Sequence, residues 1–420
     1  MSFADFYLQK YSTNQAIINS EVDDDLKIVV IIPCFDEPDL IRTLNSLKNC
    51  QKINSKVEVI IHINSGLNTI SEIKKTNFKT FELAKNWILN YSTNDLKFHL
   101  IFTDNLPDKD AGVGLARKIA MDEAVRRFNS INNEKGIIVS FDADSQVDEN
   151  YFVEIEKAFS DNKTLGGAIY FEHPIEGEDF DQFIFDRIIQ YELYLRYYYQ
   201  ALKYIEFPQV IHTVGSSFAV RADAYCKIGG MNKKKAGEDF YFLQKLLPLG
   251  QIKEINTTKV IPSPRPSDRV PFGTGAAIMK WNENEANYLT YNIQSFLELK
   301  KFIEIVPQFY KITETEYYSI LKTFHIGIQE FLQQDNFFID LKNINENSSN
   351  LASFVKRFYG FFNMFKVLKC LNYLATEHFK HIAVSISAQK LLLIKNISHN
   401  ENLNSKELLE VYRGMEFKVK

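Results

Sequence analysis

Apolar runs and helical repeats alternate over the first half of the chain. Residues 27–33 (KIVVIIP) form an apolar run rich in β-branched residues, which is typical of a strand buried on both faces. Three further runs predict strands, at residues 57–63, 98–102 and 136–141. Helical spacing after Pro38 and over residues 114–128 places helices between the strands. We therefore predict an α/β fold with a mostly parallel sheet.

Helical spacing continues without strands in the second half. Apolar residues recur every three or four positions over residues 180–198, and the same spacing predicts an all-helical region over 281–420. The one Pro/Gly-dense stretch, residues 262–275, indicates an ordered loop or a boundary. We thus expect a domain over 1–280, with a helical lead-in over 1–26, and a helical C-terminal region over 281–420.

Composition narrows the class of protein. The 420 residues carry 49 Lys and Arg against 53 Asp and Glu, so the chain lacks the net positive charge that would attract nucleic acid. Four scattered cysteines indicate neither a zinc site nor a disulfide framework and favour a reducing cytoplasm. The N-terminus lacks a signal-peptide pattern, and no apolar run approaches the ~20 residues that span a bilayer. We expect a soluble cytoplasmic protein without a nucleic-acid partner.

Polar residues follow the predicted strands. Asp142 and Asp144 come directly after the fourth strand, where alternate residues point to the same side. Two carboxylates this close repel unless a cation lies between them, and Mg²⁺ or Mn²⁺ with phosphate oxygens suits such a pair. The alternative is a solvated turn in which Asp148 caps a helix.

Two other motifs carry candidate chemistry. Glu238 and Asp239 open a predicted helix, so they either cap it or provide a general base beside a ligand. Gly215 belongs to a small-residue segment upstream that permits close approach of a ligand. Arg117 follows two glycines at a helix start and either lies near a diphosphate or belongs to an ordinary turn.

Six motifs in order resemble family 2 glycosyltransferases, which are inverting enzymes with the GT-A fold. The motifs are IIPCFDE (31–37), KDAGVGLARK (109–118), SFDADS (140–145), VGSSFAVR (214–221), IGGMN (228–232) and AGEDF (236–240). The resemblance covers about residues 27–250. It implies transfer of a sugar from a nucleotide diphosphate to an acceptor hydroxyl of a glycan or a lipid-linked molecule.

The resemblance also assigns roles to residues. Asp239 corresponds to the base, with Glu238 beside it, and Asp142 and Asp144 correspond to the D-x-D that binds Mn²⁺ or Mg²⁺. The residues expected at the nucleotide sugar are Pro33, Phe35, Glu37, Asn64, Arg117, Asp142, Ala143, Asp144, Gly215, Arg265 and Arg269.

The sequence departs from the family pattern in two places. Asn64-Ser65 stands where relatives often carry Asp-Asp, which weakens the inference of uracil, although a UDP-sugar remains the favoured donor. No His follows the E-D pair before His325 as a further metal ligand, and Asp268 is a possible substitute.

The sequence permits alternative interpretations of the arginine loop, of one basic segment and of the function. The loop with Arg265 and Arg269 is either a lid over the diphosphate or an interdomain linker. The basic, Phe-rich segment over 354–369 is either a peripheral membrane surface or a packing or dimerisation module. Rival functions are a catalytically silent scaffold that binds nucleotide or glycan, and a nucleotidylyltransferase, whose early G-x-G-x-R signature is missing.

Overall fold

The computed structural model describes residues 2–12, 15–208, 210–270, 273–281, 287–334, 336–397, 400 and 402–418. The chain divides into two compact units. Unit 1 comprises Met1–Ile184, Ile211–Met279 and Glu416–Lys420. Unit 2 comprises Phe185–Val210 and Lys280–Met415.

Unit 1 is built on one eight-stranded sheet. Its strands are β1 (Leu26–Cys34), β2 (Lys56–Gly66), β3 (Leu96–Leu106), β4 (Ile137–Ser140), β5 (Gln146–Val147), β6 (Thr164–Phe171), β7 (Phe218–Arg221) and β8 (Gln251–Ile261). The order across the sheet is β3-β2-β1-β4-β7-β6-β8-β5. β3, β2, β1 and β4 run parallel, β7 is antiparallel to both of its neighbours, and β6 pairs in parallel with β8.

Helices flank this sheet. They are α1 (Asp5–Tyr11), α2 (Leu40–Lys48), α3 (Ser71–Tyr91), α4 (Val113–Ser130), α5 (Tyr151–Ala158), α7 (Ala222–Lys227), α8 (Glu238–Leu246) and α9 (Thr274–Lys280). The intervening helix, α6 (Gln182–Tyr204), lies mostly in unit 2. β1 lies between β2 and β4 and is buried along almost its whole length, which explains its β-branched composition. The four predicted strands coincide with β1 to β4, and the expected GT-A-type α/β architecture is confirmed.

The N-terminal segment is less helical than the expected lead-in. α1 covers seven residues, and residues 15–25 form no helix. The carboxylate of Glu123 on α4 accepts hydrogen bonds from the backbone N–H groups of Ile17 and Ile18, at 3.2 and 2.9 Å. These donors are therefore satisfied without helical turns.

Unit 2 is helical and has an aromatic core. Most of α6 belongs to it, together with α10 (Ile293–Glu304), α11 (Glu314–Leu321), α12 (Ile326–Gln334), α13 (Phe337–Glu346), α14 (Leu351–Phe361), α15 (Met364–Glu377), α16 (Val384–Ile394) and α17 (Ser405–Glu416). The Phe302 ring lies 5.0 to 6.1 Å from five other phenylalanine rings, those of Phe309, Phe324, Phe337, Phe358 and Phe362. The only strands in the described part of this unit form a short antiparallel pair, β9 (Leu289–Thr290) with β10 (Ile382–Ala383).

No helix in the described ranges is both long and apolar enough to cross a membrane.

Candidate active site

The carboxyl ends of β1, β2 and β4 meet at one edge of the sheet. Cys34 of β1 pairs in register with Ile63 of β2, and Ile31 of β1 pairs with Ser140 of β4. The loops that follow these strands therefore lie side by side, as is usual for ligand sites in α/β sheets. This edge brings together the predicted segments 33–37, 64–65 and 142–144.

Arg117 lies at the centre of this edge. It is the fifth residue of α4, its side chain is buried, and its guanidinium pairs with the carboxylates of Asp142 and Glu238. Burial disfavours its charge, but the carboxylates of Asp142, Glu238 and Asp239 raise its pKa. One buried cation thus joins the D-x-D to the E-D motif, which are about a hundred residues apart in sequence.

Gly215 makes room for this cation. A Cβ atom added at Gly215 would lie 2.7 Å from Nη1 of Arg117, so any side chain there would displace the guanidinium. The Gly215 carbonyl accepts a hydrogen bond of 2.8 Å from Ser140 Oγ at the end of β4. The small residue in V-G-S-S is therefore explained by packing against Arg117.

His62 is a site residue that the sequence analysis missed. It is fully buried on β2, where Nδ1 lies 3.1 Å from the Ala116 carbonyl oxygen and Nε2 lies 3.1 Å from Thr103 Oγ1. Burial lowers its pKa to about 4, so the ring is neutral at pH 7. The contact fixes the turn of α4 that carries Arg117. The available signal was a histidine inside the otherwise largely apolar run VEVIIHI, which also contains Glu58.

The two acids of the E-D motif have different surroundings. Glu238 is buried in its ion pair, and its carbonyl accepts a hydrogen bond of 2.9 Å from Asn232 Nδ2. Asp239 is partly exposed, and its Oδ1 accepts from the Phe240 N–H at 2.7 Å. Burial and the Glu238 carboxylate raise the pKa of Asp239 to about 7, against the opposing effect of Arg117. Asp239 is therefore the acid of this pair that can exchange a proton near neutral pH.

The loop with Arg265 and Arg269 contacts the same edge. Arg265 pairs with the buried carboxylate of Glu37, with Nη1 to Oε1 at 3.1 Å. Arg269 donates from Nη1 to the Phe35 carbonyl oxygen at 2.9 Å, and its Nη2 lies 3.7 Å from Asp144 Oδ2. Both arginines thus lie among the site residues, where they contact the carboxylates of Glu37 and Asp144 and the carbonyl oxygen of Phe35.

Asp142 and Asp144 are the candidate metal ligands. Burial and the neighbouring carboxylates of Asp142 and Glu37 raise the pKa of Asp144 to about 6, while Arg269 and Arg265 oppose this. A divalent cation would relieve that repulsion, and carboxylate oxygens suit Mg²⁺ and Mn²⁺, so the pair fits such an ion. In the described residues, no group of three or more His, Cys, Asp and Glu forms a complete metal site. A cation here would need further oxygen ligands, from water or from a phosphate.

The remaining predicted residues support the edge through the backbone. Asn64 is buried, and its amide nitrogen donates to the carbonyl oxygens of Cys34 and His62 at 3.0 and 3.2 Å. The Ala143 carbonyl accepts from Thr43 Oγ1 at 2.8 Å, and Pro33 lies in β1 opposite His62.

Asp268, the substitute ligand suggested by the sequence, and two histidines of unit 1 do not complete the metal site. His212 is 3.0 Å from Glu416, His173 is 3.4 Å from Thr274, and Asp268 is exposed. None of the three completes a metal site with Asp142 and Asp144.

Comparison with known proteins gives distant structural likenesses. No family model and no curated protein matches the sequence. S. aureus TarS 1–349 in complex with UDP-GlcNAc shares 12% identity over 93% of this chain and 90% of that chain, with a TM-score of 0.39. The mannosyltransferase PcManGT from Pyrobaculum calidifontis, in complex with GDP-Man and Mn²⁺, shares 14% identity over 88% and 90%, with a TM-score of 0.34.

A third structural likeness covers a smaller part of the compared chain. GalNAc-T7 with UDP, GalNAc and Mn²⁺ shares 15% identity over 66% of this chain and 54% of that chain, with a TM-score of 0.36. Likenesses at these TM-scores decide neither reaction nor substrate. Both have to be argued from the residues of this chain.

Proposed function

We propose that the chain is an inverting glycosyltransferase, which moves a sugar from a nucleotide-diphosphate sugar to an acceptor hydroxyl in glycan, polysaccharide or glycolipid synthesis. The observation that carries this proposal is the buried Arg117, which pairs with Asp142 of the D-x-D and with Glu238 of the E-D motif. A transferase needs its leaving-group site and its base at a fixed separation. One cation paired with both motifs would hold that separation.

Asp239 is the proposed general base. Its pKa of about 7 means that a large fraction of the carboxylate is ionised at neutral pH and still basic enough to accept a proton. In the proposed step, the acceptor oxygen forms a bond to the anomeric carbon while the bond from that carbon to the diphosphate oxygen breaks. The acceptor proton passes to the Asp239 carboxylate, and the bond electrons leave with the diphosphate.

Cationic side chains are proposed to stabilise the departing diphosphate. A bound Mn²⁺ or Mg²⁺ would be held by Asp142 and Asp144 with phosphate oxygens and would neutralise charge there. Arg265 and Arg269 already lie against Glu37 and Asp144, so their guanidinium groups are within reach of the same place. Arginine forks suit phosphate oxygens, which favours the lid interpretation of this loop.

Glu37, Asn64 and Phe35 are proposed to surround the nucleotide. Glu37 and Asn64 are both buried beside the ends of β1 and β2. The Asn64 amide nitrogen is occupied by two backbone carbonyls, so its oxygen is the polar group that remains for a ligand. A UDP-sugar is the favoured donor, and a GDP-sugar is the first alternative to assay.

The test is turnover of the Asp239→Asn variant. We expect transfer, or hydrolysis of the donor in the absence of acceptor, to fall by about 10²–10⁴ because the base is removed. A panel of UDP-, GDP-, dTDP- and CMP-sugars with and without Mn²⁺ would first identify the donor. The matched control is Glu410→Gln, which neutralises an exposed acid of α17 and should keep full turnover.

Two results would contradict the proposal. Wild-type turnover in a folded Asp239→Asn protein would remove the base assignment. Donor binding without any transfer or hydrolysis by the wild type would leave a catalytically silent scaffold.

A further inference from the structure

The outer face of α3 exposes large apolar side chains. Phe78 is 57% exposed and Leu89 is 77% exposed, and just before the helix Leu67 and Ile70 are 58% and 61% exposed. Phe78 and Leu89 are eleven residues apart, which returns to within about 20° on a helix, so they share one side. Phe78 and Leu89 therefore lie on one side of a helix about 30 Å long, whereas the exposed Leu83 lies about 140° around the helix from Phe78.

The opposite face of α3 is covered. Its buried residues are Asn77, Thr80, Ala84 and Trp87, and the helix packs on β2 and β3. Trp87 packs edge-on against Phe98 of β3, with ring centroids 4.9 Å apart. Phe78 also packs edge-on against Phe102 of β3, with ring centroids 6.4 Å apart, and still exposes more than half of its side chain. Packing within unit 1 therefore explains only part of the apolar surface on the outer side.

Lysines accompany the exposed apolar side chains. α3 contains four lysines and two glutamates. Within the described residues, Lys75, Lys79 and Lys85 form no ion pair, and Lys74 donates to the Leu67 carbonyl oxygen at 2.9 Å. The positive charge of this face is thus available to an external anion.

The basic segment of unit 2 lacks this combination. Phe354, Phe358 and Phe362 are buried in its aromatic core, so the exposed Lys356 and Lys369 are not accompanied by these rings. The segment that the sequence offered as a membrane surface therefore uses its phenylalanines for packing. α3 combines exposed apolar side chains with unpaired lysines.

We propose that this face of α3 binds an anionic lipid bilayer. We define the α3 surface as Leu67, Ile70, Lys75, Phe78, Lys79, Lys85 and Leu89. The apolar side chains would enter the boundary between head groups and acyl chains, and the lysines would contact lipid phosphates. A second copy of the chain is disfavoured as the occupant, because an isologous contact would bring like-charged lysines together.

The surface borders the candidate active site along the chain. Leu67 directly follows Gly66 at the end of β2, the strand whose end carries Asn64. Docking through the α3 surface would bring this end of β2 towards the bilayer. The proposal does not depend on the transferase reaction, because lipid binding is measured without donor or acceptor.

Flotation of the full-length protein with lipid vesicles tests the proposal. We expect the wild type to float with vesicles of phosphatidylglycerol and phosphatidylcholine and to remain unbound with phosphatidylcholine alone. The double variant Phe78→Ser/Leu89→Ser should lower the bound-to-free ratio at least about tenfold, since two inserted side chains are lost. Lys75→Glu/Lys79→Glu should abolish binding to the anionic vesicles at low salt.

The matched control changes two exposed apolar residues of unit 2. Ile326→Ser/Ile339→Ser, on α12 and α13, should leave flotation unchanged. Melting temperatures of all variants would verify folding, and the wild-type comparison of the two vesicle types remains informative if a variant fails to fold.

Several results would overturn the proposal. They are wild type that does not float with anionic vesicles, equal flotation of the α3 variants, and loss of flotation only in Lys366→Glu/Lys369→Glu. Conversion of a dimer to a monomer by Phe78→Ser/Leu89→Ser, measured by light scattering, would instead assign the surface to a second copy.

Discussion

Each unit of the chain contains a buried network of arginine and carboxylate side chains, and the two networks differ in composition and in their access to solvent. In unit 1, Arg117 pairs with the buried Glu238 and with Asp142, whose side chain is 38% exposed. In unit 2, Arg196 and Glu192 are completely buried, and Arg413 closes the other side of Glu192 at 2.7 Å. The first network has two carboxylates on one arginine and the second has two arginines on one carboxylate, and the larger exposed part belongs to the carboxylate Asp142 of the first.

The exposure of the carboxylate distinguishes an ion pair with a structural role from one that a ligand can contact. The Glu192 carboxylate is completely buried between two arginines, so we expect this network to contribute to folding and to specificity of packing. The Arg117 network leaves the exposed part of Asp142 free to bind a further cation. Burial on one side and exposure on the other is the arrangement expected where a charged substrate is held.

The largest expected effect is on turnover in Arg117→Lys. Lysine keeps the charge but cannot contact both carboxylates with a planar fork, so Asp142 and Glu238 would shift apart. Small misplacements of catalytic groups cost about 10² in rate, and we expect at least that loss in kcat. Steady-state kinetics with the donor identified above would measure it.

Arg196→Lys is the matched control in unit 2. It should lower the melting temperature, because Glu192 loses a hydrogen bond in a fully buried position, while kcat of the folded protein stays the same. Equal kcat in both variants would contradict the distinction between the two networks.

The next effect is a pH dependence of kcat/KM, which we expect from the acids of the candidate active site in unit 1 and not from the buried Glu192 of unit 2. Asp239 must be ionised to accept a proton, so kcat/KM should rise about tenfold per pH unit up to about pH 7 and then level off. Its pKa in the folded protein lies above the ordinary value of 3.8, so the folded state loses stability as pH rises between these values. Asp239→Asn should therefore gain melting temperature relative to wild type as pH increases. A flat rate profile across this range would show that another group is the base.

The smallest expected effect concerns the arginine loop. Arg269→Ala removes one cation near Asp144 and should weaken donor binding about tenfold, the size of one charge-assisted hydrogen bond. Calorimetric titration of the donor would measure the change. Arg42→Ala is the control, since Arg42 forms an exposed pair with Asp179, and should leave affinity unchanged. Equal affinity in all three proteins would favour a purely structural loop.

The sequence predicted the parallel half of the sheet, β1 to β4, because its signal is local, whereas β5 to β8 were not predicted. β1 to β4 are short apolar runs with polar residues at their ends, and parallel strands place those ends together. The D-x-D and E-D motifs were visible for the same reason. The extent of the N-terminal helix was not, since residues 17 and 18 satisfy their N–H groups with Glu123, more than a hundred residues away.

Long-range pairing accounts for the other parts of the site that the sequence did not reveal. Arg265 and Glu37 are 228 residues apart in sequence, and their contact places the arginine loop at the strand ends. His62 was missed because a buried histidine in a strand has no spacing pattern of its own. Its contact with the turn that carries Arg117 exists only once α4 packs on β2.

Local order along the chain by itself determined that β1 to β4 became strands, that two acids followed β4, and that a basic residue lay near the start of α4. Only the tertiary structure decided that this residue, Arg117, joins Asp142 to Glu238, that Gly215 gives it room, and that Phe78 and Leu89 stay outside the core. The physical reason is that periodicity reports which face of an element is apolar, whereas ion pairs and exposure depend on which elements pack together.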